Sequence, residues 1–316
     1  MIRPLLTCGV GLAAFALPLV TAADRPVPVA RSDWNIVDHI PLDRVIIQAH
    51  RGAGFLAEEN TLAAFELGWQ LGTYPESDVR TTSDGVIVAF HDANFDRVVK
   101  DLPPEFKGKG VQHVTWQQLS QLDVGAWKGE QFNGRRVSKM SEIFAAMTGR
   151  PERHLYLDIK QVDLKQLAAE VRAARVESQV VLASPRPEQI AEWKRLVPQS
   201  DTLLWMRGTD ETLGPRLADL RKTRFEGITQ LQIHIFPREP EREATTGNRF
   251  TLSNGFIVEL GHELRKRGIL FQALPYTSDH SVYAQLLDLG LMSFSSDYPD
   301  VALRELGACY AATGKK

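Results

Sequence analysis

The sequence predicts an α/β fold, a closed TIM (β/α)8 barrel with an inserted segment after the second strand region. Strand-like and helix-like segments alternate along the chain, which is typical of a parallel sheet. Seven or eight strands are separated by helices over about 250 residues, the size of one such barrel. The alternative is an open doubly wound sheet, but no G-x-G-x-x-G fingerprint follows any strand.

Composition places the chain among ordinary globular proteins. Of its 316 residues, 43% are apolar and 24% are charged. The formal net charge is −2 and the pI is about 6.5, with no tract rich in lysine and arginine. A nucleic acid is therefore not an expected partner.

The first residues differ from the rest. Residues 1–23 read as a secretory signal peptide, because the apolar stretch 5–20 follows Arg3 and ends in small residues. The alternative is an uncleaved N-terminal anchor. We expect an exported protein, periplasmic or secreted, without stable membrane insertion after cleavage. Residues 24–43 form a proline-rich lead-in, and 44–310 form the barrel.

The first part of the barrel contains a strand, a helix and a hairpin. The helix prediction rests on Leu62, Phe65 and Trp69 at helical spacing, with Gly72 as a stop. The hairpin prediction rests on a tight Asp-Gly turn between two β-rich runs. The segments are strand 44–50, helix 60–72, strand 76–82 and returning strand 86–92.

An insertion of about 93–137 follows, rich in glycine, proline, lysine and glutamine, with a short helix predicted over 115–123. Long irregular segments of this kind are often functional. The alternation then resumes. Strands are predicted at 154–160, 179–184, 202–208, 227–236, 269–276 and 291–297, and helices at 138–147, 163–175, 186–197, 210–222, 255–268 and 281–290.

Charged side chains gather where predicted strands end, which is where such barrels place their active sites. Glu76 and Asp78 are two residues apart, so both side chains point to one face of a strand. Two carboxylates on one face repel unless a cation lies between them, and oxygen ligands suit Mg²⁺ or Ca²⁺. The alternative is two solvated charges, but Asp158 at another strand end supplies a third oxygen ligand and favours a metal.

Two histidines, His50 and His91, also end predicted strands. Imidazole titrates near neutrality, so this pair suggests acid–base catalysis. Arg51 and Lys160 add cationic donors suited to phosphate oxygens. Together these groups indicate a site for phosphoryl chemistry.

The same residues carry a resemblance to the glycerophosphodiester phosphodiesterase family. The matching motifs are "HRG" (50–52), "ENT" (59–61), "ESDV" (76–79), "SDG" (83–85), "VAFHD" (88–92), "DR" (96–97), "LYLDIK" (155–160) and "SSDYPD" (295–300). Residues 115–137 resemble the insertion characteristic of the family. The resemblance spans about 44–305, nearly all of the predicted mature chain.

The resemblance implies a TIM barrel, one divalent cation, and hydrolysis of a small phosphodiester to an alcohol and sn-glycerol 3-phosphate. By position, His50 is the base and His91 the acid. Arg51 holds the phosphate, with Lys160 nearby. The implied metal ligands are Glu76, Asp78 and Asp158.

Three positions depart from the family pattern. Glu58 stands where the family has proline, so a charge is expected near the mouth. Asp158 replaces a glutamate and is one methylene shorter, a gap that a water can fill. The segment "FQALPY" (271–276) lacks the usual Trp and Asn, and Phe271 or Tyr276 is expected to supply the aromatic substrate contact.

Two other functions remain open from the sequence. One is a phospholipase D-like activity on lysophospholipids or sphingolipids, which an apolar loop over the mouth would favour; residues 93–114 are more polar than such a loop. The other is a non-catalytic protein that binds polyol phosphates on the same scaffold.

Overall fold

The structure is a computed structural model, and it describes residues 31–238 and 249–314. The predicted signal peptide, 1–23, and the first part of the lead-in lie outside the described residues. Within these two ranges, no helix has both the length and the apolar character needed to cross a bilayer.

The described residues contain nine β-strands and nine α-helices. The strands are β1 (Ile47–Ala49), β2 (Tyr74–Thr81), β3 (Ile87–Ala89), β4 (Leu155–Gln161), β5 (Val180–Ser184), β6 (Asp201–Arg207), β7 (Gln230–His234), β8 (Leu270–Leu274) and β9 (Ser293–Ser296). The helices are α1 (Leu62–Gln70), α2 (Trp116–Leu119), α3 (Met140–Met147), α4 (Leu164–Ala174), α5 (Pro187–Leu196), α6 (Asp210–Lys222), α7 (Asn254–Lys266), α8 (His280–Asp288) and α9 (Pro299–Ala312).

Eight parallel strands close into a barrel. The strand order is β1-β9-β8-β7-β6-β5-β4-β2, and β1 also pairs with β2, which closes the sheet. The remaining strand, β3, pairs antiparallel with β2 outside the barrel. The predicted (β/α)8 barrel and the hairpin are therefore confirmed.

Helix α4 shows how the sequence forms this architecture. Asp163 caps its first turn by accepting a hydrogen bond from the Gln166 amide at 2.9 Å, and Arg175 ends it in a left-handed conformation. Its buried side chains are Leu164, Leu167, Ala168 and Val171, which follow the helical repeat. This face packs into the main hydrophobic cluster between strands and helices.

Hydrogen-bonded polar side chains fill part of the barrel interior below the site. Gln232 Nε2 donates to Gln48 Oε1 at 3.1 Å, and Gln272 Nε2 donates to Ser293 Oγ at 2.9 Å. The Tyr156 hydroxyl donates to Gln230 Oε1 at 2.7 Å, in the same interior. Buried polar groups that are mutually hydrogen-bonded give the cavity above them a fixed floor.

The inserted segment has a small core of its own. Its buried side chains form a cluster separate from the main one, and Phe95 packs edge-on against Phe90 at 5.4 Å between ring centroids. The helix predicted over 115–123 is shorter, since α2 spans only Trp116–Leu119. The rest of the segment consists of turns and single 3₁₀ turns, so it packs as a compact unit beside the barrel.

The final helix, α9, was absent from the predicted elements. Pro299 stands in its first turn, which is a common helix start. Its buried residues include Val301, Leu306 and Tyr310. The Tyr310 hydroxyl donates to the Ile40 carbonyl at 2.7 Å, so α9 fastens the lead-in to the barrel.

Candidate active site

The predicted site residues lie at one end of the barrel, around a cavity of about 320 Å³. From the predicted set, the lining contains His50, Arg51, Glu76, His91, Asp158 and Lys160. Asp78 is fully buried beside them. The structure therefore brings together every predicted site residue except Phe271.

The acidic residues converge because of strand register. Glu76 and Asp78 share one face of β2, and Asp78 lies directly opposite Asp158 on β4. One carboxylate oxygen from each of the three lies within 4.8 Å of the others. This is a donor set of the kind that hard divalent cations prefer.

Two observations test whether a cation fits between these carboxylates. Among the described residues, none donates a hydrogen bond to Glu76 Oε1, although this oxygen is buried. Burial, reinforced by the charge of Asp78, raises the pKa of Glu76 to about 8. A buried carboxylate oxygen without a donor is costly, and a cation would satisfy it. Glu76, Asp78 and Asp158 therefore fit one divalent cation.

Other side chains already position two of these carboxylates. Asn60 Nδ2 donates to Asp78 Oδ2 at 2.7 Å, and the Asp78 amide donates back to Asn60 Oδ1 at 2.9 Å. Lys160 Nζ lies 2.5 Å from Asp158 Oδ2 and 3.0 Å from Asp78 Oδ1. Burial would lower the pKa of Lys160, but the carboxylates outweigh this and raise it, so the lysine carries its charge. Trp205 Nε1 donates to Asp158 Oδ1 at 3.1 Å.

The shorter Asp158 thus reaches the cluster while both of its oxygens accept hydrogen bonds. Each carboxylate oxygen has a second lone pair, so these bonds leave it able to bind a cation. Burial raises the pKa of Asp158, and Lys160 opposes the shift.

His50 is held by a carboxylate from the far end of the chain. It follows β1, whose neighbour is β9, and His50 Nδ1 lies 2.6 Å from Asp297 Oδ1 just beyond β9. Burial alone would lower the pKa of His50, but the hydrogen bond to Asp297 and the charge of Glu76 outweigh it, so the pKa is raised. The Nδ1 contact leaves Nε2 available to a substrate.

His91 reaches the same cavity from the hairpin. Strand β3 returns antiparallel to β2, and the Phe90 amide donates to the Asp78 carbonyl at 2.8 Å, which places His91 beside the acidic cluster. His91 Nδ1 lies 2.6 Å from Asp92 Oδ1. Arg97 Nε donates to Asp92 Oδ2 at 2.7 Å, so the inserted segment fixes this second histidine–carboxylate pair.

Arg51 has a strained backbone and a partly free side chain. Its φ is 53°, in the left-handed region that few residues adopt, and its amide donates to Glu76 Oε2 at 2.7 Å. Arg51 Nη1 donates to Glu59, whose carboxylate also accepts hydrogen bonds from Arg97. Among the described residues, no acceptor is hydrogen-bonded to the buried Arg51 Nε. This donor suits an anionic oxygen.

Aromatic rings form one wall of the cavity. Trp205 stacks on His234 at 5.1 Å between ring centroids, and Tyr276 lies edge-on to His234 at 5.4 Å. The Tyr276 hydroxyl and His234 Nδ1 are 3.2 Å apart. His234 was not among the predicted site residues, because a lone histidine within a strand carries no signal of what faces it.

The prediction that Phe271 contacts substrate is wrong. Phe271 is 0% exposed and belongs to the hydrophobic cluster between barrel and helices. Side chains alternate along β8, and the next residue, Gln272, points into the barrel instead. Tyr276, the other aromatic residue considered, lines the cavity.

Glu58, which replaces the family's proline, does not present its charge to the mouth. It is 1% exposed, and its Oε1 accepts from the Thr61 hydroxyl at 2.7 Å. Arg135 Nε, from the inserted segment, lies 3.1 Å from the same oxygen. The substitution therefore ties the loop before α1 to the insertion.

The chain is similar to known proteins in both sequence and fold. The sequence model of the glycerophosphoryl diester phosphodiesterase family matches residues 50–301. The chain is 28% identical over 221 residues to a glycerophosphodiester phosphodiesterase of Caldanaerobacter subterraneus, covering 63% of this chain and 87% of the relative. It is 23% identical over 313 residues to one from Bacillus subtilis, covering 92% of this chain and 95% of that protein.

Solved structures of other proteins share the fold. A glycerophosphodiester phosphodiesterase of Agrobacterium tumefaciens superposes with a TM-score of 0.61 and 23% identity, covering 82% of this chain and 99% of the other. An Oleispira antarctica phosphodiesterase, solved with its product sn-glycerol 3-phosphate, superposes with a TM-score of 0.62 and 22% identity, covering 83% and 96%.

Proposed function

The chain belongs to the glycerophosphoryl diester phosphodiesterase family and is a phosphoric diester hydrolase, and we propose that it releases sn-glycerol 3-phosphate from glycerophosphodiesters by metal-dependent histidine catalysis. The observation that carries the proposal is convergence. His50, His91, Arg51 and the acidic cluster face one cavity, and each histidine is held through Nδ1 by its own carboxylate.

The phosphate would lie between Arg51 and the acidic cluster. Arg51 Nε lies 3.9 Å from Asp78 Oδ2 and has no hydrogen-bond acceptor among the described residues, so it would donate to one phosphate oxygen, while Lys160 adds a second positive charge. Glu76, Asp78 and Asp158 would hold one divalent cation, Mg²⁺ or Ca²⁺. When bound, this cation would offset the negative charge that grows on the phosphoryl oxygens during the reaction.

The histidines would move the protons. One imidazole takes a proton from the attacking hydroxyl, whose oxygen bonds to phosphorus. Attack by water gives glycerol 3-phosphate directly, whereas attack by the 2-hydroxyl of glycerol gives a cyclic phosphate that a water then opens to the same product. The bond from phosphorus to the alcohol oxygen breaks, and the second imidazolium protonates that oxygen. By the family resemblance, His50 is the base and His91 the acid.

The test is an assay of the purified protein on glycerophosphocholine with Mg²⁺ or Ca²⁺, in which released glycerol 3-phosphate is measured. His50→Ala and His91→Ala should each lower the rate at least about 10²-fold. His262→Ala, an exposed position on α7, is the matched control and should keep the wild-type rate. Circular dichroism would verify folding, and wild-type turnover by either site variant would remove that histidine from the mechanism.

A second candidate substrate class is supported by exposed apolar side chains at the mouth. Phe55 is 55% exposed, Leu56 40% and Tyr276 39%, and Phe55 and Tyr276 line a recess that adjoins the cavity. An acyl chain could rest on them, which would allow lysophospholipids to be cleaved at the same bond. Turnover of lysophosphatidylcholine at a rate comparable to glycerophosphocholine would favour this activity, and its absence would reject it.

The predicted export belongs to the same proposal. Residues 1–23 would direct the chain out of the cytoplasm and be removed near Ala22 or Ala23. N-terminal sequencing of the protein recovered from its native host would reveal the cleavage, and an intact Met1 would contradict it.

A further inference from the structure

A second recess adjoins the catalytic cavity. This side pocket has a volume of about 240 Å³ and shares His50, Arg51 and Tyr276 with the larger cavity. The side chains that belong to it alone include Phe55, Trp127 and Lys128. Trp127 and Lys128 come from the inserted segment, so the barrel and the insertion together build this pocket.

The charged side chains of the side pocket form direct ion pairs, with one exception. Arg51 and Arg97 are both paired with Glu59, and Asp297 is paired with His50. Lys128 is the exception: across residues 31–238 and 249–314 no carboxylate lies within ion-pair distance of its Nζ, and the charges of Glu59 and Asp297 act on it from farther away. An anionic ligand would supply the direct contact that this amine lacks.

The position of the Lys128 amine also limits what else can bind. Lys128 Nζ lies 4.8 Å from the centroid of the Phe55 ring and 5.8 Å from that of Trp127. Aromatic faces of this kind are what a quaternary ammonium group would contact. Since the Lys128 amine lies against a face of each of these two rings, a second cation there would be repelled.

The two cavities meet at the proposed phosphate site, and this arrangement matches the shape of a diester. A phosphodiester has two arms on one phosphorus atom. With the phosphate at His50 and Arg51, one arm extends into the larger cavity and the other into the side pocket, where the exposed Phe55 ring forms part of the rim. The departing alcohol differs from one diester to another, and a pocket with an exposed rim tolerates such variation. Because His50 lines the side pocket and His91 does not, the departing oxygen would take its proton from His50, the reverse of the order that the family resemblance implies.

We propose that the side pocket binds the departing alcohol and that Lys128 makes the enzyme prefer alcohols with a negative group, such as a phosphorylated polyol, over cationic alcohols such as choline. This inference rests on the proposed function and adds the class of alcohol to it. Lys128 would contact the anionic group directly, while Phe55 and Trp127 hold the amine in place.

The experiment compares kcat/KM for three diesters that share glycerol 3-phosphate. They are glycerophosphoinositol 4-phosphate, glycerophosphoglycerol and glycerophosphocholine, whose alcohols are anionic, uncharged and cationic. Lys128→Met should lower the ratio of the anionic to the uncharged substrate about tenfold, chiefly through KM, because a charge-assisted contact is lost. The ratio of the cationic to the uncharged substrate should rise several-fold, and Lys128→Glu should strengthen both changes.

The matched control is Lys107→Met, an exposed lysine in the same inserted segment that does not line the pocket. It should keep the wild-type ratios. Equal loss on all three substrates with Lys128→Met, or unchanged ratios, would overturn the inference while leaving the proposed function intact. Failure of the wild-type protein to cleave any of the three would contradict the proposed function itself.

Discussion

At the scale of single residues, each candidate catalytic histidine depends on a carboxylate. Asp297 and Asp92 each contact Nδ1 at 2.6 Å, which directs Nε2 of His50 and His91 toward the cavity. Such carboxylates orient the imidazole and stabilise its protonated form, as in serine hydrolases. Asp297 is therefore a positioning residue, because it acts through His50.

We expect Asp297→Asn to lower kcat at least about tenfold with little change in KM, because an amide no longer stabilises a charged imidazole. The pH profile of kcat should also shift, since the carboxylate helps to raise the pKa of His50. Steady-state kinetics over a range of pH would measure both effects. Asp219→Asn, an exposed change on α6, is the control. A purely structural role for Asp297 would lower stability without moving the pH profile.

His234 gives a prediction for stability. Burial, aided by the charges of His50 and Arg207, lowers its pKa to about 4, whereas an unfolded histidine titrates near 6.5. Between these values the unfolded chain binds more protons, so the free energy of unfolding must fall as the pH falls through this window. From pH 7 to pH 5 the loss should be roughly 1–2 kcal/mol.

Urea unfolding of wild type and His234→Phe at both pH values would isolate this contribution. The variant keeps an aromatic ring against Trp205 but cannot titrate, so its stability should change less between pH 7 and pH 5. Equal losses in the two proteins would show that His234 titrates normally in the folded state.

The sequence predicted best those site residues whose place in the fold is determined by the strand on which they lie. His50, Glu76, Asp78 and Lys160 sit on or just after barrel strands, and parallel strands bring such positions to one end. Glu59, Asn60, Asp92 and Arg97 lie in matched motifs, but their hydrogen bonds arise from loop and hairpin geometry that no periodicity encodes. The prediction for Phe271 was wrong because a shift of one residue along a strand moves a side chain to the opposite face of the sheet. The predicted strand boundaries are not accurate to one residue.

At the scale of secondary-structure elements, α1 lies unusually close to the loop that carries His50 and Arg51. A Cβ atom on Gly68 of α1 would lie 2.3 Å from the Gly52 carbonyl oxygen and 2.8 Å from Pro75 Cγ. Real Cβ atoms do not approach so closely. Only glycine at this position lets α1 pack against the catalytic loop.

We expect Gly68→Ala to destabilise the protein by about 1–3 kcal/mol, because overpacking forces helix and loop apart. The rate should fall as well, since Arg51 is next to Gly52.

Gly307→Ala on α9 is the matched control. No described atom lies within 4 Å of a Cβ built on Gly307, so its better helix propensity should stabilise the protein by about 0.5–1 kcal/mol. Thermal unfolding and activity assays would measure both variants, and a neutral Gly68→Ala would contradict the tight approach.

At the scale of the whole molecule, cation binding should couple to stability. A cation that binds only the folded chain at 100 times its Kd stabilises it by about 2.7 kcal/mol. We therefore expect Mg²⁺ or Ca²⁺ to raise the melting temperature by several degrees, and EDTA to reverse the rise. Glu76→Gln keeps the acceptor for the Arg51 amide but removes a cation ligand, so it should lose this response. An equal rise in the variant would place the cation elsewhere.

The barrel itself was accessible from sequence because alternation of segments and a length near 250 residues leave few architectures. No single segment of the sequence predicts that the sheet closes into a barrel, because closure depends on the pairing of β1 with both β2 and β9. The arrangement of the insertion was least predictable. Its core depends on contacts among short irregular stretches, such as Phe95 against Phe106, and not on a repeating pattern.

The contact between His50 and Asp297 joins residues 247 positions apart. A ribosome makes the first long before the second, so a nascent chain that has already formed most of its strands still lacks one half of this dyad. Hydrolysis should begin only after Asp297 has been synthesised and β9 has docked. Chains that terminate before Asp297 should then be inert.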